Sequence, residues 1–231
     1  MKLPLSNRLL ACCSFVRQND RVADVGCDHG YLGIHLLQSG IASSVIAADI
    51  NEMPLQSAKE NAVKFGVQDR ISFYRSDGLR QLPRDFDCMV CAGMGADTMI
   101  SILEAAPWLQ SSRFRLILQC QSKRPELRRY LAARGFSISR ETLAKDGKFI
   151  YPIMEVRYAP GEAPAPWEYY ITPQLVADGS PLLLPFLRRV IGGVEDTLLG
   201  QQHSGICDRE TEEIHRHLLE LERSIACDNS K

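Results

Sequence analysis

The sequence predicts an α/β domain with a mostly parallel sheet, covered by helices on both faces and followed by a C-terminal helical hairpin. Three observations carry this expectation. Short β-rich runs alternate with segments of helical apolar spacing from residue 21 to residue 135, the pattern of successive βα units. A proline-rich stretch, "APGEAPAP" at 159–166, then interrupts the chain, as a linker does. Beyond it, apolar residues recur every three or four positions with no strand signal between them, which is helical patterning.

Taken in order, residues 5–17 read as an amphipathic helix. Asn7, Arg8 and Ser14 interrupt its apolar run, so it is not read as a secretory signal. "RVADVG" (21–26) is a strand, and "YLGIHLLQSG" (31–40) a helix stopped by Gly40. "SSVIAADI" (43–50) is a strand, and "PLQSAKENAVKFG" (54–66) a helix opened by Pro54 and closed by Gly66. "ISFYRSD" (71–77) and "FDCMVCAGM" (86–94) are strands, and "DTMISILEAAPWL" follows as a helix. "FRLILQC" (114–120) is a strand and "PELRRYLAARG" (125–135) a helix. The runs near 136–143 and 149–158 have no helix between them, so a hairpin is expected to close the sheet.

The first domain is expected over 1–160 and the second over 167–231. In the second, Leu183, Leu187, Val190 and Val194 form one apolar stripe. Thr211, Ile214, Leu218, Leu221 and Ile225 form another, with "GQQHSG" as the turn between two antiparallel, coiled-coil-like helices. His215 and His217 stand two apart, fall on different helix faces, and are not read as a metal pair.

Composition narrows the class. At 45% hydrophobic and 24% charged the chain reads as globular. No apolar run reaches the length of a membrane span. Of eight cysteines, Cys12 and Cys13 are adjacent, while Cys88, Cys91 and Cys120 lie in strand-like runs. Reduced thiols and a cytoplasmic location are the expectation. Cys88-x-x-Cys91 has a metal-like spacing, but strand alternation sends its side chains to opposite faces. Nothing nearby completes a tetrahedral site, so no metal is expected. The net charge of −1 hides an asymmetry. Residues 1–161 hold 21 Lys and Arg against 16 Asp and Glu, and residues 162–231 hold 6 against 12. A nucleic-acid partner should therefore meet mainly the first part.

The chemistry is read from "DVGCDHGYL", residues 24–32. Ligands of open parallel sheets bind at the carboxyl ends of the strands, near the switch in strand order. Asp24-x-Gly26-x-Asp28-x-Gly30 follows the first strand, Asp49 and Ile50 end the second, and Asp77-Gly78 ends the third. Asp49 suits two ribose hydroxyls, at about 1.5–3 kcal/mol for such a charge-assisted bond. Asp77 suits an adenine amino group, and Gly26 and Gly30 are expected to let main chain approach a ligand closely. These features fit any adenosine cofactor. Asp28 discriminates among them. A dinucleotide would set its pyrophosphate at this turn, where a carboxylate about 4 Å away would oppose it by about 4 kcal/mol at an effective dielectric of about 20. S-adenosylmethionine instead brings a sulfonium and an ammonium, which a carboxylate attracts. The other role open to Asp28 is a helix N-cap.

The same residues carry a resemblance. "LSNRLLACCSFV", "ADVGCDHGYLGIHLL", "AADINEMPLQSAKENA", "RSDGLRQL", "VCAGMGADTMISIL", "LILQCQ" and "FIYPIMEV" occur in the order seen in the bacterial TrmK family. The resemblance covers nearly the whole chain. It implies a class I, Rossmann-like methyltransferase domain with a C-terminal helical hairpin, using S-adenosyl-L-methionine to methylate N1 of adenine 22 in tRNA. Two positions depart from the family pattern. Ala96 stands where glycine is usual, and Leu118-Gln119-Cys120-Gln121 where Leu-Gln-Pro-Asn is often found.

Adenine N1 carries an in-plane lone pair, so the chemistry needs alignment and exclusion of water. Methylation leaves a cationic base, which a carboxylate would stabilise or relieve of an N6 proton. Asp28 is the catalytic candidate. Arg8, Gly26, Asp28, His29, Gly30, Asp49, Ile50, Asp77, Gly78, Gly93 and Met94 are the cofactor-binding candidates. Substrate-binding candidates are Tyr31, Gly95 and the basic stretch Lys123, Arg124, Arg128 and Arg129. Arg188 and Arg189 of the hairpin are further candidates for tRNA contact. A methyltransferase of the same fold acting on a small molecule or protein, and a non-catalytic cofactor-binding protein, stay open. So does the choice between a monomer and a weak dimer.

Overall fold

The β-rich runs pair into one seven-stranded sheet in a computed structural model that describes residues 3–205 and 208–228. The chain divides into two compact units, Met1–Gly161 and Glu162–Lys231. In chain order the first holds α1 (Asn7–Cys13), β1 (Asp20–Val25), α2 (Tyr31–Gln38), β2 (Ala42–Asp49), α3 (Glu52–Lys64), β3 (Ile71–Arg75), β4 (Cys88–Met94) and α4 (Ala96–Glu104). It continues with β5 (Arg115–Cys120), α5 (Arg124–Ala133), β6 (Phe136–Asp146) and β7 (Phe149–Tyr158).

The strand order is β3-β2-β1-β4-β5-β7-β6. β1 to β5 pair in parallel, and β7 pairs antiparallel with both β5 and β6. The chain winds outward one way from β1 and the other way from β4. Because β1 and β4 are neighbours, their carboxyl ends form the crevice where the winding reverses.

Strand alternation builds a core on each face of the sheet. Met89 and Cys91 pack with Met99, Leu103, Leu127 and Leu131 of α4 and α5. Cys88 and Val90 pack on the other side with residues of α1, α2 and α3 such as Cys12, Leu36 and Leu55. The expected divergence of Cys88 and Cys91 is therefore realised. Burial pushes both thiols up to about 12, so neither is poised as a thiolate. Among the described residues no cluster of His, Cys, Asp and Glu could hold a metal ion, and no helix is long and apolar enough to cross a membrane. Cys207 lies outside the described residues.

Element ends differ from the sequence reading in instructive ways. α1 is shorter than 5–17, because Ser6 caps it: the Leu9 N–H donates to Ser6 Oγ at 3.4 Å. α3 opens at Glu52, before Pro54. Proline is tolerated there because first-turn N–H groups have no helical partner.

The second unit contains α6 (Pro173–Ala177), α7 (Leu183–His203) and α8 (Arg209–Asp228). The sequence pattern does not announce α6; Thr172 caps it by accepting the Leu175 N–H at 3.1 Å. α7 and α8 pack together through Leu183, Phe186, Leu187, Ile191 and Val194 on one side and Thr211, Ile214 and Leu218 on the other. The buried stripe uses Ile191 where the spacing indicated Val190, which is half-buried. α7 also runs on through most of "GQQHSG", so the reversal falls later than expected.

Candidate active site

The first loop is tied down by the strand beside it. Gly26 and Cys27 N–H groups donate to the Ala48 carbonyl at 2.8 and 2.9 Å, and the Gly30 N–H to Cys27 O at 2.8 Å. The Asp28 N–H donates to Asp49 Oδ2 at 3.2 Å, and the Asn51 N–H to Asp49 Oδ1 at 2.9 Å. Four loop N–H groups are thus satisfied inside the protein, which leaves fewer for a phosphate.

Gly26 has φ +76°, and a Cβ there would lie 2.2 Å from Met94 Cε. The backbone favours glycine here, and a Cβ would also oblige the Met94 side chain to move. Gly30, at φ +72°, instead faces α3: its Cβ would meet Ala58 Cβ at 3.0 Å. It is not among the cavity-lining residues, so its lack of a side chain serves helix packing rather than ligand approach. At Gly95 a Cβ would meet Ser122 Oγ at 2.9 Å, and Gly95 lies outside the cavity lining.

Asp28 has φ +50°, a conformation uncommon outside glycine. Its carboxylate is 72% exposed, and the N-cap of α2 is Gly30, with no side-chain cap bond. The N-cap role is therefore not realised. His29 Nε2 lies 3.7 Å from Asp28 Oδ1, and the His29 and Tyr31 ring centroids are 5.8 Å apart.

A cavity of about 770 Å³ opens at the crevice, within the size range of small-molecule sites. Of the sequence candidates, Arg8, Gly26, Asp28, His29, Tyr31, Asp49, Ile50, Asp77, Gly78, Gly93 and Met94 line it. Asp24, Asn51, Asp97 and Gln121 line it too. Asp77 is held by Arg80 Nε at 3.2 Å. The wall thus presents five aspartates, at 24, 28, 49, 77 and 97, against one arginine and no lysine.

Asp24 is the buried member of that set. Burial pushes its carboxyl up to about 7; the Gly33 N–H opposes the rise, and nearby Asp49 adds to it. Its Oδ2 has no hydrogen-bond partner. The sequence marked Asp24 only as a strand-end acid.

Gln119 also escaped the sequence reading. Its buried Oε1 accepts from Arg8 Nη1 at 2.5 Å and from the Gly93 N–H at 3.1 Å. It therefore fixes the guanidinium beside the main chain of β4, where a Cβ on Gly93 would lie 3.1 Å from Arg8 Nη1.

The basic stretch divides. Lys123 is exposed and pairs with the cavity-lining Asp97 at 2.7 Å. Arg124 and Arg129 are half-buried on α5. Arg128 points inward and pairs with Glu141, both side chains being almost wholly buried. It cannot present its charge to a phosphate, and that expectation is withdrawn. In the hairpin, Arg188 Nε pairs with Glu222 at 2.7 Å.

Residues 5–154 match a family model described as a methyltransferase domain. The chain is 35% identical over 140 residues to a putative tRNA methyltransferase of Mycoplasma genitalium, covering 58% of this chain and 61% of that one. It is 33% identical over 149 residues to the tRNA (adenine(22)-N(1))-methyltransferase of Bacillus subtilis, covering 64% and 63%. The matched region thus spans a little over three fifths of these curated relatives. A crystal structure of a putative tRNA (m1A22) methyltransferase of Streptococcus pneumoniae, in complex with S-adenosyl-L-methionine, is 28% identical with a TM-score of 0.81, over 93% of this chain and 99% of that one. The chain belongs to the methyltransferase-domain family, and the relatives and solved structures it matches include those of the TrmK group that its motifs resemble, beside ribosomal protein L11 methyltransferases.

Proposed function

We propose that the cavity binds S-adenosyl-L-methionine and that the protein methylates N1 of an adenine in tRNA, at the position corresponding to adenine 22. The observation that carries the cofactor reading is the wall of five aspartates and one arginine. It suits a cationic ligand and opposes a diphosphate. Asp24, buried with an orphaned oxygen, is the kind of group that a cationic ligand completes. The substrate reading follows the relatives, two of which are named for tRNA adenine-N1 methylation.

When bound, the cofactor supplies an electrophilic methyl group. The chain's own residues would do the rest. Asp49 would hold the ribose hydroxyls while keeping Asp28 in place. Ile50, 58% exposed, would offer an apolar face to the adenine, and Asp77 would accept from its amino group. Arg8, fixed by Gln119, would take the carboxylate. The target adenine would be held in line for attack and shielded from water. Asp28 would then stabilise the cationic product base or accept its N6 proton. Lys123, Arg124 and Arg129 would meet the backbone of a cytoplasmic tRNA. The second unit would assist binding or self-association.

The test is transfer of labelled methyl groups into bulk bacterial tRNA, followed by nucleoside analysis and mapping of the modified position. Appearance of 1-methyladenosine at position 22 is expected. Transfer into a metabolite or protein fraction, with none into tRNA, would overturn the substrate reading and leave the cofactor reading standing. Cofactor binding with no transfer anywhere would point to a non-catalytic role.

A further inference from the structure

The tip of the β6–β7 hairpin adjoins the Arg8 side of the cavity. Asn7 Nδ2 donates to Lys145 O at 3.1 Å, and Arg8 Nε lies 4.0 Å from Asp146 Oδ2. The Arg8 guanidinium also sits over the Tyr151 ring, 5.8 Å from its centroid. Phe149, Tyr151 and Ile153 alternate along β7 and so share one face. Ile153 is fully buried in the core that α1 helps to form, Tyr151 is half-buried, and Phe149 is 38% exposed. The face therefore emerges progressively from the core toward the tip. The Phe149 and Tyr151 rings are 6.1 Å apart, and Lys148 Nζ lies 5.3 Å from the Phe149 ring. Lys148 is exposed in the turn beside the rings, whereas Lys145, also exposed, pairs across with Ile150 and lies on the other face of the hairpin. Asp146 pairs across with Phe149 on the ring face, where it neighbours Arg8.

A hairpin tip is ordinarily polar, yet here two neighbouring rings come partly to the surface. Rings with an exposed ammonium group beside them suit a flat, electron-rich ligand on an anionic backbone. That is the chemistry of an unpaired nucleotide, whose base stacks on aromatic side chains while lysines meet its phosphates. An apolar protein partner would gain nothing from the Lys148 ammonium. We propose that Phe149 and Tyr151 form a stacking platform for an unpaired tRNA nucleotide next to the target adenine, with Lys148 on its phosphate. This rests on the tRNA reading above and names a further part of the substrate site.

The experiment measures binding of an unmodified tRNA transcript by fluorescence anisotropy, alongside methyl transfer and S-adenosylhomocysteine affinity. Phe149 is exposed enough for Phe149→Ala to fold, which a thermal melt checks. This variant is expected to weaken tRNA binding and raise KM for tRNA about tenfold, with cofactor affinity unchanged. Phe149→Trp is expected to restore both. Lys148→Ala should flatten the salt dependence of log Kd by roughly 0.7, the value for one single-strand phosphate that is no longer neutralised. Unchanged tRNA binding by a folded Phe149→Ala protein would overturn the proposal. So would an unaltered protein that binds no tRNA. If the unaltered protein binds tRNA in a Phe149-dependent way without methylating it, the platform stands and the methylation reading falls.

Discussion

Asp49 holds Asp28: the Asp28 N–H donates to Asp49 Oδ2 at 3.2 Å across 21 residues of sequence. One acid at the end of β2 thus fixes another just past the end of β1. It keeps Asp28 at φ +50°, with no side-chain bond to the helix start. A change at Asp49 should therefore act on the cofactor directly and also loosen the first loop.

Asp49→Ala is expected to weaken S-adenosylhomocysteine binding by roughly 10- to 150-fold, matching loss of a charge-assisted bond of about 1.5–3 kcal/mol. Titration calorimetry checks this. Asp49→Asn retains one side-chain oxygen and should lose less; equal losses would show that the negative charge matters more than the loop tether.

Asp28→Ala is expected to slow the chemical step as well as weaken binding, by roughly 10- to 100-fold if the carboxylate stabilises the forming cation. Single-turnover methyl transfer at saturating cofactor separates the two effects. An unchanged rate would remove Asp28 from catalysis and leave it a cofactor ligand.

Asp24 predicts a pH dependence with a definite sign. Its folded pKa, about 7, lies above the ordinary carboxylate value of about 3.9. Its protonated form therefore favours the folded state, and that contribution is lost as pH rises from about 4 to about 7. Asp24→Asn should melt higher than the unaltered protein at pH 8, with the difference shrinking toward pH 4. Ligand binding should run the other way. Deprotonation near pH 7 supplies a charge for a cationic ligand, so affinity for S-adenosylmethionine should rise from pH 6 to pH 8. In Asp24→Asn it should be flat.

Gly26→Ala is expected to be destabilising for two separable reasons. The left-handed backbone costs about 1–2 kcal/mol for a residue with a Cβ. The new methyl would also stand 2.2 Å from Met94 Cε. Combining it with Met94→Ala should relieve the steric part only. Chemical denaturation of the two single variants and the double variant measures the coupling.

Arg128→Ala should cost about 3–5 kcal/mol of stability, because it breaks a buried ion pair with Glu141. Its effect on tRNA affinity in protein that remains folded should be small. Arg129→Ala, by contrast, should weaken tRNA binding in protein that a thermal melt shows to be folded.

The sequence by itself determined the alternation of strands and helices, the closing hairpin and the row of acids at the strand ends. These are local signals. Period-two and period-3.6 patterns, and a glycine or aspartate at a strand end, are written within a few consecutive residues. It also supplied the charge reasoning for a cationic cofactor, because Asp28 needs no partner to be recognised as unsuited to a diphosphate. Only the tertiary structure decided which members of each pattern face the cavity. Gly30 turned out to serve α3, Gly95 to face Ser122, and Arg128 to be buried. Only the fold brings Gln119 to Arg8 across 111 residues, or sets the Phe149 tip near the Arg8 side of the cavity. A side chain's burial and partners depend on which distant strands and helices close over it, and no local periodicity encodes that.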